Sequence, residues 1–213
     1  MAKPSPWPII HAERKALLAD LEGLTDEQWA TKSLCTDWTV LEVFGHMINS
    51  AKTSPAKFVL GLAGSGFRFH RWSAKRADEE TAGTPADALG RFREVLTATD
   101  HPPGPIDAML GEVIVHPQDI RRPLGIPHEY PVEGSVRAVE FYLSSNLLIG
   151  GKRRGAGLTL RATDTDWSTG SGPEVAGPAA SLALGLSGRP AALADLTGDG
   201  VSTLQGRMSS SLT

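Results

Sequence analysis

Through most of the chain, up to about residue 147, apolar residues recur every three or four positions, and that period commits the segment to amphipathic helices. From Ile9 to Leu24 the stripe is Ile10, Leu17, Leu18, Leu21 and Leu24, and Gly23 followed by Thr25-Asp26 supplies a stop and a restart. Thr39-Val-Leu-Glu42 has the form of a capping box, in which the hydroxyl accepts an orphan N–H and the carboxylate reaches back, and a helix on Val40, Val43, Phe44, Met47 and Ile48 should follow. Gly61 to Gly66 reads as a break or loop, and the stretch around Trp72 carries no clear period. Pro85 in a first turn predicts a third helix to about Thr99, closed by His101-Pro-Pro-Gly104. A fourth, Ile106 to Arg121, aligns Ile106, Met109, Leu110, Val113 and Ile120; Pro117 must kink or end it, because proline lacks the donor and crowds the preceding turn. Val136, Val139, Leu143 and Leu147 predict a fifth before Gly150-Gly151. Four or five such helices with short connections read as an up-and-down bundle.

The composition then changes. Residues 150–213 hold 12 of the 23 glycines, with a strand-like Leu158-Thr-Leu-Arg-Ala162, a helix start at Gly177-Pro178 and a turn at Gly198-Asp-Gly200. The expected class is therefore α+β: a helical bundle over 1–150, a small α/β domain over 151–208, and a disordered tail over 209–213. With 21 basic and 24 acidic side chains the net charge is −3, which argues against a nucleic-acid partner. No segment approaches a membrane span or a signal peptide, and the single cysteine, Cys35, excludes an internal disulfide; a cytoplasmic protein is expected. Oligomeric state is left open between monomer and homodimer.

Chemistry first shows at Gly111-Glu-Val-Ile-Val-His116. Residues four apart on a helix share one face with Cβ atoms roughly 6 Å apart, so Glu112 and His116 can grip one metal ion or, more blandly, form an ion pair on a helix edge. His46 falls on the edge of its own apolar stripe and is the best third ligand, although a lone histidine there is more often a satisfied core residue. Two histidines and one carboxylate leave open coordination positions, the signature of a catalytic site. The idea requires the three donor groups to lie within about 7 Å of one another.

Three segments carry a resemblance. Leu34-Cys-Thr-Asp-Trp-Thr-Val-Leu-Glu-Val-Phe-Gly-His46, Gly111-Glu-Val-Ile-Val-His-Pro-Gln-Asp-Ile-Arg-Arg-Pro-Leu-Gly125 and Gly177-Pro-Ala-Ala-Ser-Leu-Ala-Leu-Gly-Leu-Ser-Gly-Arg189 resemble, in order, the mycothiol-dependent maleylpyruvate isomerase family of the DinB-like metal-binding superfamily. The resemblance implies a DinB-like four-helix bundle with a smaller C-terminal α/β domain, and a divalent metal, usually zinc, on His46, Glu112 and His116. It also implies mycothiol or a similar thiol as co-substrate, with its sulfur near the metal, and a small-molecule electrophile. This chain departs from the commoner pattern at Pro117, where glycine is frequent, and at Leu184-Gly185-Leu186, where many relatives carry tryptophan.

A metal-bound thiol loses its proton and becomes a nucleophile. It could drive cis–trans isomerisation by reversible addition, or S-transfer; the rival function is a non-catalytic module binding metal or a small ligand. Candidate catalytic residues are Asp119, which could orient the His116 ring or face solvent, together with Arg121 and Arg189 as anchors for a dicarboxylate; Arg122 is the candidate for cofactor binding. Arg121 and Arg122 read equally as charges complementing a helix C-terminus, and Arg153-Arg154 as solvated linker. Trp29 and Trp38 read as core aromatics and Cys35 as a small buried hydrophobe. His11, His70, His101 and His128 have no partner spacing.

Overall fold

Helix α1 (Trp7–Leu21) buries Ile10, Leu17 and Leu21 completely, and Gly23, at φ +90°, turns the chain into the short α2 (Asp26–Trp29), which Thr25 and Gln28 cap reciprocally. The computed structural model describes residues 3–35, 38–66, 68–147 and 149–209, the side chains of 69–71 and 209 excepted; Thr36 and Asp37 of the first motif, the His70 ring and residues 210–213 of the expected tail lie outside the described residues. Helix α3 (Val40–Lys52) starts at the anticipated box: the Thr39 N–H donates to Glu42 Oε2 at 2.7 Å and the Glu42 N–H returns to Thr39 Oγ1 at 3.3 Å. All five residues of its expected stripe are buried. Trp29, Phe44 and Phe92 stack through the centre, with ring centroids 5.5 and 4.9 Å apart.

Two expectations are corrected in the next stretch. Gly61 to Gly64 is not a loop but the second half of α4 (Pro55–Gly64), which Ser54 caps and Pro55 opens. Gly61 is there for packing: a Cβ at that position would collide with the Trp72 indole. The unassigned stretch around Trp72 is α5 (Phe69–Glu80), and α6 (Pro85–Arg93), capped by Thr84 with Asp87, stops short of Thr99. Helix α7 (Ala108–Leu124) runs through Pro117 and Pro123 and closes at Gly125 in the left-handed region, φ +67°. The proline removes the donor that the Val113 carbonyl would otherwise meet, and Gln118, 1% exposed, separately donates its side-chain amide to the Ile114 carbonyl at 2.8 Å. In the resulting bundle α3 packs on α5 and α7, α1 packs on α7, and α6 lies against α1 and α3.

The chain divides into two compact units between His128 and Glu129, not near Gly150. The fifth helix, α8 (Val132–Ser144), goes with the C-terminal unit because its partners are α9 (Gly151–Gly155) and α10 (Ala179–Leu186). Glycine content marked where strands begin, whereas packing decides where a unit ends. Three short strands, β1 (Thr159–Ala162), β2 (Ser168–Gly170) and β3 (Glu174–Gly177), form a sheet of order β2-β1-β3, β1 being antiparallel to β2 and parallel to β3. Helix α10 follows Gly177-Pro178 as expected, with Leu184 and Leu186 both buried. Gly198, at φ +105°, leads to α11 (Val201–Ser209), which takes Ser209 out of the anticipated tail. Arg154 is not solvated linker: it is 5% exposed and donates to the Leu186 carbonyl at 3.0 Å. Among the described residues no helix is long and apolar enough to cross a membrane.

Candidate metal centre

The position of His46 depends on the residue before it. Gly45 sits where α3 and α5 press together, and a Cβ there would lie 2.5 Å from the Ala77 carbonyl oxygen and 2.6 Å from Thr81 Cγ2. That close approach brings the His46 ring to α5, where its Nδ1 lies 3.0 Å from Ser73 Oγ. On its other side Trp38 tilts against it, ring centroids 5.3 Å apart, so Trp38 is a wall of the site as well as a packing residue. Trp29 is the core aromatic anticipated, 3% exposed.

Helix α7 supplies the other two groups from one face. His46 Nε2 is 3.2 Å from Glu112 Oε2, and His116 Nε2 is 3.9 Å from the same oxygen. The two imidazoles meet edge to face with centroids 4.8 Å apart. One donor atom from each of His46, Glu112 and His116 lies within 4.8 Å of the other two, inside the separation required for a shared ligand set. The side chains are 15%, 27% and 15% exposed, so the cluster is recessed but open to a small molecule.

The proton positions follow from the outer partners. Asp119 is wholly buried and its Oδ2 is 2.9 Å from His116 Nδ1; a carboxylate only accepts, so Nδ1 carries the proton and donates. In the neutral ring that leaves Nε2 as a bare lone pair facing Glu112. The Ser73 bond can fix His46 in the same sense. Three lone-pair atoms thus converge, and Glu112 Oε2, shielded from water, has no well-formed hydrogen bond among the described residues. Such an arrangement is repulsive unless a proton or a cation stands between the donors. The donor set, two imidazoles and one carboxylate with outer hydrogen bonds to both rings, fits a divalent metal of the zinc type. Burial pushes the Glu112 carboxyl up; where a proton stands on the imidazole Nε2, the His46 charge and its hydrogen bond, then His116 and Ser50, outweigh that and hold the carboxyl at about 2.

The structure separates the remaining candidates. Asp119 touches the site through His116. Arg121 points elsewhere: it is 1% exposed, its Nη2 lies 2.7 Å from Asp20 Oδ2 and its Nη1 3.9 Å from Glu13 Oε2, a buried tie between α1 and α7, so the anchoring role expected of it is corrected to a structural one. Arg122 donates to Gln118 Oε1 on its own helix at 3.0 and 3.2 Å. Arg189 belongs to the C-terminal unit, where it donates to the Ser187 carbonyl at 3.2 Å. Cys35 is partly buried beside the core, as expected of a small hydrophobe. Of the unassigned histidines, His128 binds Glu13 at 2.8 Å, His11 stacks on Trp7 and His101 turns to the Pro102 carbonyl.

Sequence reasoning missed Ser73, Ser50 and Gly45. Ser50 follows His46 by four residues, the same spacing that flagged Glu112 with His116, and could have been found that way. Ser73 carried no signal, because its helix has no clear apolar stripe.

Comparison with known proteins follows the same lines. Residues 10–101 match the sequence model of the mycothiol maleylpyruvate isomerase N-terminal domain, a stretch that contains His46 and stops before Glu112. The fold is similar to two crystal structures of a mycothiol-dependent maleylpyruvate isomerase, each matched over 91% of this chain and 91% of that one. A histidine-to-alanine mutant gives a TM-score of 0.61 at 13% identity, and the second structure gives 0.55 at 14%. No curated protein sequence matches the chain.

Proposed function

We propose that this protein is a metal- and thiol-dependent enzyme acting on a small electrophile, since residues 10–101 match the model of the mycothiol maleylpyruvate isomerase N-terminal domain and the fold is similar to that of such isomerases. His46, Glu112 and His116 would hold the metal. The observation that carries the reading is the convergence of two Nε2 atoms on a water-shielded Glu112 oxygen with no well-formed donor between them. When bound, a zinc-type ion supplies Lewis acidity that makes a thiol ionise near neutral pH, where a free thiol with pKa about 8.5 is only a few per cent thiolate.

The chain's own residues prepare that event. Asp119 keeps the proton of His116 on Nδ1, and Ser73 can do the same for His46, so both Nε2 atoms stay available. Glu112 contributes one negative charge, leaving a ligand set that does not cancel a divalent ion. Trp38 closes one side of the His46 ring, and the exposed edges of the three residues admit the thiol.

The reaction proposed is reversible addition. The thiolate forms a C–S bond to an electron-poor alkene as the π bond breaks; the resulting single bond rotates; expulsion of the thiolate restores the alkene in the trans geometry with no net change of atoms. Transfer of the thiol to an epoxide or a displaceable group would use the same nucleophile. Mycothiol is the proposed thiol, from the family.

The test is metal analysis of protein purified without chelator, beside His46→Ala and His116→Ala, followed by mass spectrometry of thiol and electrophile mixtures. Near-stoichiometric metal in the native protein, lost in both variants, and thiol-dependent turnover of an unsaturated dicarboxylate are expected. Metal-free native protein, or turnover indifferent to thiol, would overturn the proposal in favour of a binding module.

A further inference from the structure

A second cavity, of about 840 Å³, opens between α3, α4 and α5 and is lined by none of the three residues of the metal centre. Its mouth is cationic. Lys52, Lys57, Lys75 and Arg76 line it. Glu80 pairs with Lys52 at 2.8 Å, and Glu79 serves both Arg76 at 2.6 Å and Lys75 at 3.8 Å. Among the described residues Lys57 donates to the Lys52 carbonyl, at 3.3 Å. Four cations thus face two carboxylates, a surplus of two positive charges around one opening.

The floor is polar and built. Asn49 is 8% exposed and lines the cavity; its Oδ1 accepts from Thr53 Oγ1 at 3.3 Å, while its amide nitrogen has no hydrogen-bond partner among the described residues. Asn49 lines the cavity, so this amide can donate to a ligand oxygen or to water there. Beside it Trp72, steadied by Phe58 at 5.2 Å, offers apolar surface. The volume is that of a small-molecule site and far exceeds a bare inorganic ion.

From the charge surplus at the mouth, the unused amide at the floor and the adjoining indole, we infer that this cavity binds an organic dianion, a dicarboxylate or a phosphate ester with an apolar body. The dianion's charges meet Lys57 and Arg76, the Asn49 amide donates to one of its oxygens, and its body lies along Trp72. The site is separate from the metal centre and does not depend on the function proposed for it.

Calorimetric titration of the chelator-treated protein with phthalate and with phenylphosphonate tests this, with neutral benzamide as the control. Saturable binding of at least one dianion, weakened about tenfold by Lys57→Ala and by Arg76→Ala, is expected for the loss of one charge-assisted contact in each. Both side chains are exposed, so neither variant threatens the fold. Preference for phthalate or phenylphosphonate distinguishes a carboxylate from a phosphate ligand. Binding must survive in His46→Ala. No binding of either probe, equal binding of benzamide, indifference to both cation variants, or loss in His46→Ala would overturn the inference.

Discussion

His116 donates its Nδ1 proton to Asp119 across 2.9 Å, and Asp119 is completely buried beneath it. The pair lies three residues apart on α7, so one helix turn both presents the imidazole and fixes its tautomer. Asp119→Asn keeps the shape but replaces the carboxylate. A loss of roughly 10–100-fold in metal affinity is expected, by chelator competition, with the helical circular dichroism unchanged. Unaltered affinity would remove Asp119 from the site.

Gly45 holds α3 against α5. In Gly45→Ala the added methyl must push away the Ala77 carbonyl or Thr81, with a cost of about 1–3 kcal/mol for overpacking. Denaturant unfolding should show that loss together with weaker metal binding, because His46 moves with the helix. A variant as stable as the native chain would mean that α5 yields freely there.

The charge on Glu112 should make the metal-free protein acid-sensitive. Its folded value of about 2 lies below the ordinary 4.5, so the folded state holds fewer protons between those limits; the stabilisation is present above pH 4.5 and is lost as pH falls towards 2. Melting temperatures of chelator-treated protein across that window should fall more steeply for the native chain than for Glu112→Gln. Parallel curves would contradict the role given to the imidazoles.

Arg121 ties α1 to α7 through Asp20 and Glu13 instead of reaching substrate. Arg121→Met should cost about 3–5 kcal/mol, since it strands buried acids, yet leave KM for the electrophile unchanged in the folded fraction. A raised KM with native stability would return Arg121 to the substrate site.

Much of this protein is written locally. The restart at Thr25, the capping box at Thr39, the stripe from Val40 to Ile48 and the i,i+4 pairing of Glu112 with His116 depend on residues close in sequence, and each is where the spacing places it. Pro117 left two outcomes open, and the helix continues through it to Leu124.

By itself the sequence determined the helices with a clear apolar period, the cap at Thr39, the succession from bundle to mixed α/β, and the identity of three candidate ligands. Tertiary structure alone decided that Gly45 is a packing surface, that Gly61 is one instead of a break, that Ser73 meets His46, that Arg121 is spent on a buried ion pair, and that α8 joins the C-terminal unit. The physical reason is range. Period and capping act within one or two turns, whereas a partner 27 residues away, as Ser73 is from His46, is fixed only when two helices have already packed.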